Sequence, residues 1–182
     1  MEKRTFSTLA LSCMLLILGF HTYAQTPSLK NAELLSFQGM HTGELTYKNY
    51  SGGNLVTIPF VGVTYQKKGK LIIEHSIYEG GRVIKQNYNY EVKNGQLVGG
   101  GGNWDVLEKE SRPDGKLSKL VVSRSGKDGN DNRKCTFRTT FDFSTTNLTI
   151  TKDVKFDDEE EYFMRNKYVM NSYPSEDQVS HN

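Results

Sequence analysis

The sequence predicts an all-β protein: an up-and-down antiparallel β-barrel of about 8–9 strands, introduced by a short N-terminal helix. Three observations carry this expectation. Runs of alternating apolar and polar residues recur from Gly43 to Met170. Glycine- or asparagine-rich turns separate them, among them Gly80-Gly81 and Asn94-Gly95, the latter the strongest hairpin signal in the chain. No run is followed by a convincing crossover helix, which parallel strands would need. A meander of eight or more twisted strands closes readily on itself, and closure removes the exposed edges, so a barrel is favoured over a two-layer sandwich. With 17 glycines, four prolines and 11% aromatic residues, the composition speaks for a packed strand-and-turn domain and against disorder.

The first segment reads as a removable leader. Glu2-Lys3-Arg4 is a short basic start, and Leu9 to Phe20 is almost wholly apolar. Twelve helical residues reach roughly 18 Å, short of a bilayer core of roughly 30 Å. Thr22-Tyr23-Ala24 then offers small residues at the positions a signal peptidase reads. The expected organisation is a signal peptide over 1–24, a barrel domain over 25–171 and a flexible polar tail over 172–182. The expected destination is the periplasm or the cell exterior, with no integral membrane segment after cleavage. The formal net charge of +2 falls to +1 once Glu2, Lys3 and Arg4 leave with the leader. That balance gives no electrostatic reason to expect a nucleic acid as partner. Cys135 would be the only cysteine left, so no internal disulfide is expected.

Within the domain, Ser28–Phe37 is the best helix candidate, with Ser28 as cap and Leu29, Ala32 and Leu34 or Leu35 as a loose stripe. Strands are expected over Gly43–Tyr50, Leu55–Gln66 (bent or at an edge near Pro59), Leu71–Glu79 and Arg82–Val92. Gln96–Val98 leads into Gly99-Gly100-Gly101-Gly102, a candidate flexible loop and lid at the barrel mouth with Trp104 as its apolar edge, and strand resumes over Asn103–Leu107. Further strands follow over Leu117–Arg124, Lys134–Phe143 and Leu148–Phe156. Tyr162–Met170 reads as helix or strand, with Tyr, Phe and Val favouring strand.

An eight-stranded barrel is just wide enough to be filled by side chains or to hold one small ligand. The positions read as inward include Leu45, Ile73, Ile77, Ile84, Gln86, Thr139 and Phe141, together with Tyr47, His75, Tyr88, Tyr90 and Phe137. A purely structural core rarely needs His, Gln, Thr and several tyrosine hydroxyls, because an unpaired buried polar group costs about 1–3 kcal/mol. An apolar cavity with a few polar anchors is the usual make-up of a ligand pocket.

Phe37-Gln38-Gly39-Met40-His41-Thr42-Gly43, after a short helix and opening the first strand, resembles the start of lipocalin-like (calycin) barrels. That family opens with Gly-x-Trp; Gly39 matches, and His41 stands where Trp is expected. The family commonly packs an arginine from the last strand over the Trp to close the barrel's end, and Arg165 is the matching candidate. The resemblance implies binding of small, usually apolar molecules, and few enzymes. It also implies that an inward histidine, here His75, can ligate haem iron, as in haem-binding barrels of similar shape.

The leading expectation is therefore an exported barrel that binds a small, largely apolar molecule, with Tyr47, His75, Tyr88, Tyr90, Trp104 and Phe137 as ligand-binding residues. A secreted interaction module with a filled core, acting on a protein or glycan through its surface, is the alternative; an enzyme on the same barrel comes last. No Ser/His/Asp order, paired-carboxylate context or zinc spacing stands out, so no catalytic or metal residue is assigned. Asp157–Glu161 lacks the order of a calcium loop, and Cys135 reads as a buried hydrophobe.

Overall fold

A computed structural model describes residues 27–49, 52–130 and 132–173; the expected leader and most of the expected tail lie outside them. Ten strands follow one another: β1 (Gly39–Lys48), β2 (Leu55–Lys67), β3 (Lys70–Glu79), β4 (Arg82–Lys93), β5 (Gln96–Gly99), β6 (Gly102–Ser111), β7 (Leu117–Lys127), β8 (Lys134–Phe143), β9 (Asn147–Phe156) and β10 (Phe163–Ser172). Each pairs antiparallel with the next, and β1 pairs with β10, so the meander is a closed barrel. The expectation of 8–9 strands is corrected to ten. The added strand is β5, four residues that pair with both β4 and β6 where the sequence reads as a lead-in to a glycine loop.

The glycine loop is a tight hairpin and not a lid. Gly100 and Gly101 hold φ of 55° and 90°, the left-handed geometry that a two-residue turn demands at both central positions. Asn94-Gly95 does the same with φ of 52° and 78°. The Tyr162–Met170 ambiguity resolves as strand β10. Pro59 lies within β2, beyond the point where the β2–β3 ladder ends at Phe60–Ile77, so it interrupts no pairing with β3.

The expected helix over Ser28–Phe37 is also corrected: the chain forms only a 3₁₀ stretch, Asn31–Ser36. The Leu29 amide is committed to the Gly95 carbonyl at 3.0 Å and Lys30 is extended, with φ −112° and ψ 147°, so helical geometry begins only at Asn31. Six residues are too few to sustain an α-helix without strong packing. The segment instead serves as a stopper. Leu29, Leu34 and Phe37 are buried, Asn31 Oδ1 accepts from the Val92 amide at 3.0 Å, and Lys109 Nζ ties Ser28 and Glu33 to β6.

The interior is packed from this stoppered end upward. Leu117, Leu120, Val122, Leu148, Val154 and Met170 are essentially inaccessible, each worth about 1.5–3 kcal/mol of apolar burial. Two inward positions must be glycine for the rings to fit. A Cβ on Gly43 would lie 2.1 Å from the Val169 carbonyl oxygen and 2.8 Å from the Phe60 ring, and one on Gly62 would lie 2.5 Å from His41 Nε2 and 2.7 Å from the His75 ring.

The wall is incomplete in one place. β5 meets β4 only along Tyr90–Lys93, and β6 meets β7 only up to Asp105–Ser123. Among the described residues, the β4 edge from Arg82 to Asn89 and the β7 edge from Arg124 to Lys127 therefore have no partner strand on the sides that face each other. No helix among the described residues is long and apolar enough to cross a membrane.

Replacing Gly62 by Ala should cost about 1–3 kcal/mol of stability in urea unfolding, because backbone and two rings would have to give way. An unchanged midpoint would contradict the close approach of β2 to His41 and His75.

Candidate functional site

Strands that start at the stoppered end deliver their last residues to the other end, where the barrel stays open. There Leu45 and Tyr47 on β1, Ile58 on β2, Ile77 and Glu79 on β3, and Ile84, Gln86 and Tyr88 on β4 face Arg165, Asn166 and Tyr168 on β10. Between them lies a cavity of about 490 Å³, with Lys48, Asn49 and Asn130 at its rim.

A β-bulge shapes the β10 side. Met164 pairs with Asp153 and Asn166 with Lys152, so Arg165 is an extra residue with no opposite number on β9. Inserting one residue resets the strand's alternation. Arg165 and Asn166 can therefore both line the cavity although they are adjacent in sequence.

The cavity floor is a hydrogen-bonded triangle. The Tyr88 and Tyr168 hydroxyls donate to Gln86 Oε1 at 2.6 and 2.8 Å, and the two phenol oxygens are 2.9 Å apart. Two hydroxyl protons cannot serve all three contacts. One oxygen–oxygen approach is therefore left without a proton whenever both tyrosines donate to Gln86, which leaves acceptor capacity for an incoming donor. Burial is the main cause of the raised pKa of both tyrosines; the shared hydrogen bond opposes the shift at Tyr88 and adds to it at Tyr168. Both stay protonated at neutral pH. At the rim the Tyr47 hydroxyl donates to Glu79, and this bond is the first cause of its own raised pKa.

Of the residues singled out from sequence, Tyr47 and Tyr88 line the cavity, and the other four do not. His75 sits opposite Gln86 in the β3–β4 ladder but is sealed off. Its ring centre is 4.4 Å from Phe60, 5.1 Å from Tyr168, 5.4 Å from His41 and 5.9 Å from Tyr88. Tyr90 lies a layer lower, edge-on to Phe141. Trp104 and Phe137 are buried on either side of Arg124, whose guanidinium is 4.7 and 4.9 Å from their ring centres. The Trp104 indole donates to the Gly99 carbonyl at 2.8 Å. A haem does not fit at His75: the histidine is 3% exposed and enclosed by those four rings, so a macrocycle has no face from which to reach it.

Arg165 does not play the part the lipocalin resemblance implies. His41 pairs with Ser172, seven residues along β10 from Arg165 and roughly 23 Å away at strand rise. His41 is covered instead by Phe37, Phe60 and His75. Arg165 faces the cavity, with Nη2 3.6 Å from Asp128 Oδ1. Glu79, Arg165, Asn166 and Tyr168 are cavity residues that sequence reasoning did not select. The alternation of Asn166, Tyr168 and Met170 was available as a signal, but the bulge at Arg165 was not.

The His41–His75 pair has a predictable pH signature. Neither ring nitrogen of His75 has a hydrogen-bond partner among the described residues, and His41 has only the Gly39 backbone beside it. Burial lowers the pKa of His75 from 6.5 to about 3, and His41 pushes in the same direction. Burial likewise lowers that of His41, opposed by the Gly39 backbone. The other titratable groups whose rings face the pair are Tyr88 and Tyr168, neutral throughout this range. Below pH 6.5 the unfolded chain binds protons that the folded chain refuses until about pH 3. Stability should therefore be full above pH 6.5 and fall progressively toward pH 3. Denaturant midpoints measured across that window should show the decline, and a His75→Phe variant should lose part of the slope.

Compared with protein-family models and with curated proteins, the sequence matches none.

Proposed function

We propose that this chain is a binding protein that holds a small, partly apolar organic molecule in the open end of its barrel. The observation that carries the reading is an interior filled at one end and hollow at the other. The hollow of about 490 Å³ falls within the usual range of ligand pockets, roughly 300–1,000 Å³. Its walls have two characters. Leu45, Ile58, Ile77 and Ile84 offer an aliphatic surface, while the Gln86–Tyr88–Tyr168 triangle and Asn166 offer oriented hydrogen-bonding groups. The ligand that suits both is amphiphilic, more polar than the molecule the sequence alone suggests. In this reading the chain is a lipocalin-like carrier, exported by a leader over 1–24. The closed antiparallel barrel, stoppered just before Gly39-x-His41, supports it.

The alternative, a surface-acting partner of a protein or glycan, has one observation in its favour. Met40 and Val61 are 66% and 40% exposed beside an outer groove over β2, β3 and β4. It gives no role to the inner cavity, and the carrier reading does.

Native mass spectrometry of protein purified from its own host should reveal a bound small molecule. Ile84→Trp, at a half-exposed wall position, should fill the hollow and abolish that species without unfolding the barrel. Protein recovered empty and showing no thermal shift with a panel of small amphiphiles would overturn the reading.

A further inference from the structure

Beyond Asn166, the β7–β9 side of the barrel holds positive charge that the described residues do not neutralise. Lys152 on β9 is directly opposite Asn166, a cavity residue, and shares its inward face. Its Nζ lies 4.4 Å from the centre of the Phe137 ring. Arg124 on β7 is opposite Phe137 and covers the same ring. Aromatic faces hold both cations in position, but a quadrupole attracts a charge without cancelling it. The buried carboxylate nearby, Asp128, already engages Arg165. Among the described residues, neither Arg124 nor Lys152 has a carboxylate within ion-pair distance. Arg124 donates to the Gly100 carbonyl at 3.2 Å, and its Nε is buried with no partner among the described residues.

Two like charges brought together in a partly dry place oppose each other. The lowered pKa of Lys152 has burial as its first cause and Arg124 as its second, with Asp128 and Cys135 pulling the other way. Ordinary core packing does not call for this arrangement, since Met or Leu at either position would fill the space without the electrostatic cost. Rigid strands, two fixed cations and an adjoining open cavity are what an oxyanion completes.

We propose that the molecule held in the cavity is an organic anion, its oxyanion group seated at Lys152 and Arg124 and its apolar part against Leu45, Ile58, Ile77 and Ile84. This rests on the binding reading above and adds the ligand's charge. Carboxylates, sulfonates and phosphates share the required chemistry: several acceptor oxygens around one negative centre.

Two fluorescent probes separate the possibilities. 1-Anilinonaphthalene-8-sulfonate and N-phenyl-1-naphthylamine share a ring system, and only the first carries an oxyanion. At low salt the sulfonate should bind the full chain at least roughly tenfold more tightly. Lys152→Met keeps the apolar stem on Phe137; it should erase that preference and leave the neutral probe unaffected. Lys152→Arg should retain the preference, with circular dichroism showing that both variants fold. A medium-chain alkyl carboxylate or alkyl phosphate should displace the sulfonate where the matching alcohol does not, and the stronger competitor identifies the oxyanion. Equal affinity for the two probes, a preference that survives Lys152→Met, or displacement by the alcohol alike would overturn the anion and leave the binding reading standing. Failure of both probes to bind would overturn the binding reading itself.

Discussion

Seven residue pairs, from His41–Ser172 to Tyr47–Asn166, join the first strand to the last, and without them this protein would have no interior. That seam places Leu45 opposite Tyr168 and Tyr47 opposite Asn166, so residues at opposite ends of the chain form one wall of the cavity. It is also the pairing of largest sequence separation. Its loop-closure entropy must be met before any of the enclosed contacts can repay it, which makes it a natural late event in folding. The 3₁₀ stopper cooperates with it, since Leu29, Leu34 and Phe37 can be buried only against a sheet that has already curved round.

Along the barrel axis the chemistry changes in a definite order. The stoppered end is aliphatic and aromatic, with Leu117, Leu120 and Leu148 out of reach of water. Beyond it lie the two buried imidazoles, and His75 is level with Gln86 of the tyrosine–glutamine triangle. Only then do charged side chains and open space appear. The histidine layer is the least favourable part of this sequence. Gly62 and Gly43 show how much accommodation it requires, since neighbouring backbone has been cleared of side chains to admit the rings.

Much of the fold was legible because period-two alternation and turn chemistry are local signals. β8, with Cys135, Phe137, Thr139, Phe141 and Phe143 all buried, is as clear in the sequence as in the barrel, and Asn94-Gly95 forms the turn its residue types require. What escaped was non-local. β5 is a strand only because β4 and β6 flank it, and four residues carry too little pattern to reveal that. Tyr47 and Tyr88 could be read as inward, but whether an inward residue meets space or another ring depends on layers contributed by distant strands. His75 shows this: it points in as expected, yet Phe60 and Tyr168 occupy the room a ligand would need. Arg165 was assigned by resemblance to the wrong end, and the bulge that aims it at the cavity leaves no mark in composition or period.

The gap beside the shortened β5 decides which part of the cavity wall is held least firmly. From Arg82 to Asn89 no strand among the described residues pairs with β4 on that flank, and Val83 and Ile84 are solvent-exposed along it. Strands bonded on one side only fray at far lower cost than those bonded on two. Ile84, Gln86 and Tyr88, all on this flank, also line the cavity. That flank is therefore the part of the cavity wall that opens at least cost, while the seam between the first and last strands is held by seven residue pairs.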